Sequence, residues 1–269
     1  MDFFELLKYA FLGLLQGVTE PIPVSSSGHL IIAEHLLGIH IEGLSFEVLV
    51  NFASLIAVLI IYRHDIVRIA GNGWLYLRKR EPEARADFMF IIYVIVGTVP
   101  IVIFQPLLGG LLDRYSKDLN VIGVTLLITG IALWLIRNMR GRKQDNDLRY
   151  RDAIIVGLAQ CVALFPGISR SGSTIVAAMG TGMRPATALR YSFFLYIPVS
   201  IGAMVLEGRN MLEDPMLGQL LVPYSLAFIC SLIASYFALR WFMGIMAKGN
   251  LLVFSIYCLL AGLAVLIFL

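Results

Sequence analysis

The chain alternates long apolar runs with short polar stretches. Six runs, residues 45–62, 88–108, 119–138, 189–206, 219–241 and 250–269, are continuous and sparsely charged. About 20 helical residues cross a ~30 Å hydrocarbon core, so each run predicts a transmembrane helix. Two further apolar segments, 4–37 and 152–182, are interrupted near their middle. The first break reads Pro21-Ile22-Pro23-Val24-Ser25-Ser26-Ser27-Gly28, the second Pro166-Gly167-Ile168-Ser169-Arg170-Ser171-Gly172. Proline ends a helix and small polar residues start the next, so each segment predicts helix, break, helix. Irregular backbone at membrane depth persists only where protein or a polar cavity surrounds it.

The two broken segments are related to each other. Shifted by 144 positions, Gly13, Leu14, Gln16, Val18, Ser25, Ser27 and Gly28 fall on Gly157, Leu158, Gln160, Val162, Ser169, Ser171 and Gly172. These are seven identities in sixteen ungapped positions, and the Ser-x-Ser-Gly match in register with Gln is the informative part. We read an internal repeat, residues 1–140 and 151–269, within one integral membrane domain covering 1–269. A re-entrant hairpin returns to the side it left, and three spans then follow it, so the second half is inverted. The expected fold is therefore an all-α integral membrane protein, with six transmembrane helices plus two re-entrant broken-helix hairpins in an inverted-topology repeat. The functional site then falls where the hairpins meet near the midplane.

Basic residues add an orientation. Loop 63–87 carries Arg63, Arg68, Arg78, Lys79, Arg80 and Arg85, and loop 137–152 carries Arg137, Arg140, Arg142, Lys143, Arg149 and Arg151. The inverted arrangement puts these on one side with Arg184, Arg190, Arg240 and Lys248, leaving Lys8, Arg114, Lys117 and Arg209 opposite. The positive-inside rule makes the first side cytoplasmic and turns both termini outward. Were the broken segments full spans, Arg184 and Arg190 would part from Arg240 and Lys248, and the bias would weaken.

Composition agrees with this layout and narrows the function classes. The chain is 59% hydrophobic and 14% charged, against about 25% charged in soluble domains. Its net charge of +3 makes no case for nucleic acid. The start, Met1-Asp2-Phe3-Phe4-Glu5, has no basic stretch and predicts no cleaved leader. Cys161, Cys230 and Cys258 lie far apart in apolar segments, match no metal-ligand spacing and read as buried free thiols. Trp74, Trp134 and Trp241 fit interface belts, and His35, His40 and His64 fall at segment ends or in loops.

Ionisable groups inside a membrane cost about 2.5 kcal/mol or more at a helix centre, so they default to functional hypotheses. Glu20, His29 and Arg170 stand at the breaks, among Gln16, Ser25, Ser26, Ser27, Gly28, Ser169, Ser171, Ser173 and Thr174. The helices that start at Ser-x-Ser-Gly offer free N–H groups and positive dipole ends, which bind phosphate. Arg170 adds a planar cation able to grip phosphate oxygens with two bonds. Glu20 repels an anion unless a divalent cation accompanies it. His29 suits general acid or base work, and one of the serines suits a nucleophile. Each residue has a plainer reading: small residues let helices pack closely, a lone His is often structural, and a lone Glu snorkels to water. Convergence at two repeat-related breaks favours phosphoester or phosphoanhydride cleavage.

These motifs resemble the undecaprenyl-pyrophosphate phosphatase family of the bacitracin-resistance type. Gln16-Gly17-Val18-Thr19-Glu20 with Pro23-Val24-Ser25-Ser26-Ser27-Gly28-His29 is similar to its (E/Q)xxxE stretch and serine-rich turn. Pro166 to Thr174 is similar to its PGxSRSxxT signature, and Phe46-Glu47-Val48 with Ser54 to Val58 to a further segment. The resemblance implies an enzyme of the bacterial cell (plasma) membrane that removes the terminal phosphate of undecaprenyl pyrophosphate. It further implies dependence on Mg²⁺ or Ca²⁺ and a site open to the outer face. Carried over, Glu20 binds the metal, Ser26 is the nucleophile candidate, and His29 and Arg170 are essential. Pro21 stands where the family usually has a bulky aromatic, and Asn51 where it more often has His or Gln. Expected partners are the lipid substrate, membrane lipids and a second copy of the chain as a homodimer candidate.

Two rivals remain at this stage. A polyprenyl-phosphate flippase or transporter needs the phosphate cradle but not nucleophile, base and metal carboxylate together. In an acid-phosphatase-type lipid phosphatase, the second His would fall at Val176 and the Lys at Ala177, so the spacing fails.

The orientation is testable. Single cysteines placed in 63–87, 137–152 and 240–249 should resist an impermeant thiol reagent in intact cells, while cysteines at both termini should react. A shielded C-terminus rejects the inverted arrangement.

Overall fold

The computed structural model describes residues 3–39, 41, 45–115, 117–213 and 217–269; Met1, Asp2 and His40 lie outside them. The described residues form eleven α-helices and two short 3-10 turns, with no named strand. The first broken segment is α1 (Phe3–Thr19) and α2 (Ser26–Leu37), and α3 (Ser45–Ile61), α4 (Arg63–Lys79), α5 (Arg85–Tyr115) and α6 (Leu119–Ile136) follow. The second is α7 (Tyr150–Val162) and α8 (Arg170–Gly180), followed by α9 (Pro185–Glu213), α10 (Leu217–Lys248) and α11 (Leu252–Phe268). Both breaks fall where Pro, Gly and Ser predict them, and all six expected spans are helical.

This is a multi-pass membrane protein. Among the described residues four helices are long and apolar enough to cross a membrane: Pro82–Gly110, Leu119–Ile136, Pro185–Met211 and Gly218–Lys248. Counting the bent pair α3–α4 as one span makes five, and α11 is a shorter apolar helix. Loop 63–87 needs correction. Most of it is α4, turned 74° from α3. Its sequence is amphipathic: Ile69 and Gly73 are buried, while Val67, Trp74 and Leu77 stay exposed beside Arg63, Arg78 and Lys79. The density of basic residues hid that period. Cys161 and Cys258 are buried free thiols as expected, but Cys230 is only half-buried.

The hairpins enter from opposite ends of the bundle. At one end Lys8 Nζ donates to the Leu37 carbonyl (2.9 Å), bringing the start of α1 to the end of α2. Lys117 Nζ donates to the Ile41 carbonyl at that same end. At the other end Lys143 N donates to the Gly182 carbonyl, and Lys143 Nζ bonds Asp152 at 2.9 Å. This brings the end of α8 to the start of α7. Arg190 bridges Asp65 and Asp145 there, and Arg140 lies against Gly249 in the turn between α10 and α11. All four basic groups assigned to the cytoplasmic side thus share one end of the bundle.

Close helix crossings bring the hairpins to their places. Lipid is as apolar as Leu, so membrane helices associate through tight packing at small residues. A Cβ built on Gly13 would lie 2.1 Å from the Ala227 carbonyl oxygen, so α1 rides directly on α10. A Cβ on Gly157 would lie 2.5 Å from the Gly97 carbonyl oxygen, so α7 rides on α5. Gly123 and Gly262 bring α6 and α11 together similarly. Serines finish the centre: Ser231 Oγ donates to the Val50 carbonyl (2.8 Å), and Ser235 Oγ donates to Ser54 Oγ (2.7 Å).

The obstructing atoms at Gly157 are backbone, which cannot rotate away. Gly157→Ala should destabilise the protein by about 1–3 kcal/mol through overpacking. Gly244→Ala on the open face of α10 should be neutral or stabilising by up to about 1 kcal/mol. Thermal unfolding in detergent reads both, and equal melting temperatures reject the close-crossing account.

Candidate active site

Each break ends in a serine that caps the helix after it. Ser25 Oγ accepts from Gly28 N (3.4 Å), and Ser169 Oγ accepts from Gly172 N (3.0 Å). Ser25 holds φ at 69°, a left-handed backbone that is costly without glycine and is tolerated where the surroundings fix it. His29 supplies part of that fixing. Its Nδ1 lies 2.7 Å from the Ser25 carbonyl, which only accepts, so Nδ1 carries the proton. Nε2 then accepts from Tyr257 Oη at 2.6 Å, and the two rings stack.

The tips of the hairpins touch. A Cβ on Gly28 would lie 3.1 Å from Gly167 Cα, and Ser171 Oγ donates to the Ile22 carbonyl at 3.2 Å. Gly167, at φ 83°, fits under α6, where Thr125 Oγ1 donates to the Pro166 carbonyl at 2.8 Å. Ser169 N donates to Thr129 Oγ1 on the same helix.

Glu20 stands at this junction and organises it. Its Oε1 accepts from Arg170 Nη2 (2.6 Å) and Asn51 Nδ2 (2.8 Å), and its Oε2 accepts from Gln16 Nε2 (3.1 Å) and the Ser26 hydroxyl. A carboxylate has about four lone-pair positions, and these donors use all of them. Ser26 and Arg170 are the first residues of α2 and α8, at equivalent places under the 144-residue offset. From their two helices they reach the two oxygens of one carboxylate. The acid is 9% exposed and the guanidinium 24%, so the charges compensate each other away from water. Beside them a narrow pocket is lined by Glu20, Pro21, Ser54, Val58, Arg170, Ser171, Ser192, Phe193 and Tyr196.

The other expected residues are distributed unevenly. Gln16 is buried and spends its amide N–H on Glu20. Ser27 Oγ lies 3.5 Å from Ser25 Oγ, and Ser171 Oγ 3.2 Å from Ser169 Oγ, repeating one motif in both breaks. Thr174 is turned away, its hydroxyl bonded to the Arg170 carbonyl and to Ser192. Ser173 makes no side-chain hydrogen bond among the described residues, and its N–H bonds the Ser169 carbonyl. His29 and Ser26, three residues apart, are not brought together: Ser26 points to Glu20, and His29 is held by Ser25 and Tyr257. The sequence passed over Asn51's amide bond to Glu20 and all of Tyr196 and Tyr257; a lone amide within the apolar run Val48 to Ile61 was the available signal for Asn51.

A hard cation can be weighed against these groups. Among the described residues no cluster of three or more His, Cys, Asp or Glu forms a ready cage. Mg²⁺ is commonly held by one or two carboxylates completed by substrate phosphates. Glu20 is the one carboxylate among these groups, and with four donors on it a cation could reach it only where Arg170 had left Oε1.

Fold and site together define a multi-pass membrane protein with a charged, serine-lined pocket beside the junction of two broken helices, walled also by α3 and α9. The chain belongs to the bacitracin resistance protein BacA family, whose sequence model matches residues 9–264. It is 58% identical over 269 residues to undecaprenyl-diphosphatase 1 of Bacillus licheniformis, with 100% of each chain covered. It is 55% identical to an undecaprenyl-diphosphatase of Oceanobacillus iheyensis, covering 100% of this chain and 98% of that one. Undecaprenyl-diphosphatase 1 of Halalkalibacterium halodurans is also 55% identical, over 97% of this chain and 95% of its own.

Arg170 is the cationic half of the central pair, and a guanidinium can bond an anion through a planar fork. Charge-assisted hydrogen bonds are worth about 1.5–3 kcal/mol each, and every 1.36 kcal/mol is a factor of ten in rate. Arg170→Ala should therefore abolish turnover, and Arg170→Lys, a point charge without the fork, should lose most of it. Phosphate release by the purified variants checks this, and an Arg170→Ala protein that folds and keeps a tenth of normal activity rejects the site.

Proposed function

We propose that this protein is an undecaprenyl-diphosphate phosphatase of the bacterial plasma membrane. It cleaves the terminal phosphoanhydride of a polyprenyl pyrophosphate, releasing inorganic phosphate and the lipid monophosphate carrier used in cell-wall synthesis. The observation that carries this reading is the convergence of Ser26 and Arg170 on Glu20. A hydroxyl already donating to a carboxylate, next to a guanidinium in a sheltered pocket, is the equipment of phosphoryl transfer. Relatives covering the whole chain and named for the same hydrolysis support it, and so does the family's bacitracin-resistance name. A flippase gains nothing from a serine aimed at a carboxylate.

In this reading Arg170 leaves Glu20 for the phosphate oxygens when substrate enters. Ser26 Oγ attacks the terminal phosphorus and passes its proton to Glu20. The bond from that phosphorus to the bridging oxygen breaks, the lipid monophosphate departs, and water hydrolyses the seryl phosphate. His29, with both ring nitrogens engaged, holds the Ser25 turn from which Ser26 projects. Gln16, Asn51 and the serines of both breaks hold the carboxylate and the tips. Glu20 would hold a Mg²⁺ or Ca²⁺ ion once Arg170 has left it, and the ion would supply charge neutralisation and polarisation of the phosphoryl group.

The membrane arrangement we propose is six spans and two re-entrant hairpins in inverted repeat, with residues 1–140 and 151–269 as the halves. Hairpin ends at opposite ends of the bundle and tips in contact support it. So do the paired crossings of α1 on α10 and α7 on α5. The ion pairs of Arg190 and Lys143 close the basic, cytoplasmic end, which favours entry from the outer face. We include a homodimer as a candidate assembly; the central pair itself comes from one chain.

Purified protein should release phosphate from a polyprenyl pyrophosphate and stop in EDTA, with activity restored by Mg²⁺ or Ca²⁺. Glu20→Gln should remove most turnover. Ser26→Ala should lose far more than Ser25→Ala or Ser27→Ala. Substantial turnover by Ser26→Ala moves the attack to water, and full activity in chelator removes the cation from the reading.

A further inference from the structure

A clamp acts well only if its direction is set before the ligand arrives. Arg170 has two holds. One is Glu20, which it gives up when an anion enters. The other persists: the guanidinium carbon lies 4.5 Å from the centroid of the Tyr196 ring. Tyr196 comes from the middle of α9, is 6% exposed and lines the pocket. Its ring is pinned in turn. Tyr196 Oη donates to the Asn51 carbonyl at 2.8 Å and lies 3.2 Å from Asn51 Oδ1. That same Oδ1 accepts from Ser200 Oγ at 2.9 Å, and Asn51 Nδ2 donates to Glu20. Guanidinium, ring, amide and carboxylate form a closed circuit across α3, α8, α9 and the first break.

We propose that Tyr196 is a positioning residue for Arg170: its π face is the fixed seat on which the guanidinium turns from Glu20 to the phosphate oxygens. A desolvated cation over an aromatic face is stabilised by the ring quadrupole. The charge therefore remains compensated during the turn, when neither carboxylate nor ligand holds it fully. Asn51 completes the device by locking the ring and the carboxylate to one another. The proposal rests on Arg170 being the phosphate grip, and it names what keeps that grip aimed.

Filling space and seating a cation make different demands on the ring. Full-length protein in detergent, assayed for phosphate release from a short-chain polyprenyl pyrophosphate, separates them. Tyr196→Phe keeps the ring and should hold kcat within about threefold, whereas Tyr196→Leu should lose about tenfold or more, the expected scale for a desolvated cation–π contact. Phenylalanines carrying one to five ring fluorines, placed at position 196, drain the negative face with little change of shape. In that series kcat should fall stepwise with fluorination. A flat series overturns the proposal, and it decides the matter even where Tyr196→Leu folds poorly. An Arg170→Ala control that retains turnover defeats the clamp reading itself; an inactive Arg170→Ala with a flat fluorine series defeats only the role of Tyr196.

Discussion

The molecule is organised around one ion pair away from water, Glu20 with Arg170. Burying a lone carboxylate or guanidinium costs several kcal/mol even after relaxation, and breaking such a pair by removing one member is strongly destabilising. The protein meets the cost with four donors on the carboxylate and an aromatic face under the cation. Each of those groups must be delivered to within hydrogen-bonding distance, and the delivery accounts for much of the architecture. Two helices are broken so that their N-terminal first residues reach one point. Bare glycines let α1 and α7 lie directly on their neighbours, which seats the hairpins at the depth where they touch.

Local features of this design were legible in the chain. Proline, glycine and serine act through their own backbone and first neighbours, so both breaks, their capping serines and the helices on either side could be read directly. Gln, Ser and Gly recur in register 144 positions apart, and of the recurring serines Ser25 and Ser169 each cap the helix that follows. The basic residues marked one end of the bundle, and their contacts are found together there.

What was not legible depends on groups far apart in sequence. Arg170 had no acid near it in the chain; its partner lies 150 positions earlier. Asn51 stood out only as a departure from the family pattern, and Tyr196, 145 positions away, as one more aromatic residue in an apolar run. Ser26 and His29, three residues apart, have different partners that lie outside that spacing: a carboxylate for the serine, and a carbonyl and a phenol for the histidine. The α4 helix was taken for a loop because charge density masked its period. Local rules bring residues to the site, and only the assembled bundle decides which of them bond.

The two members of the central pair stand 150 positions apart in the chain. A chain ending near residue 140 would leave Glu20 without its cation, and one beginning near 151 would leave Arg170 without its carboxylate. Each fragment would be penalised until it met the other, at which point a single contact would relieve both. The segment joining them, 137–152, has ion pairs of its own, Lys143 with Asp152 and Asp145 with Arg190, yet it takes no part in this neutralisation.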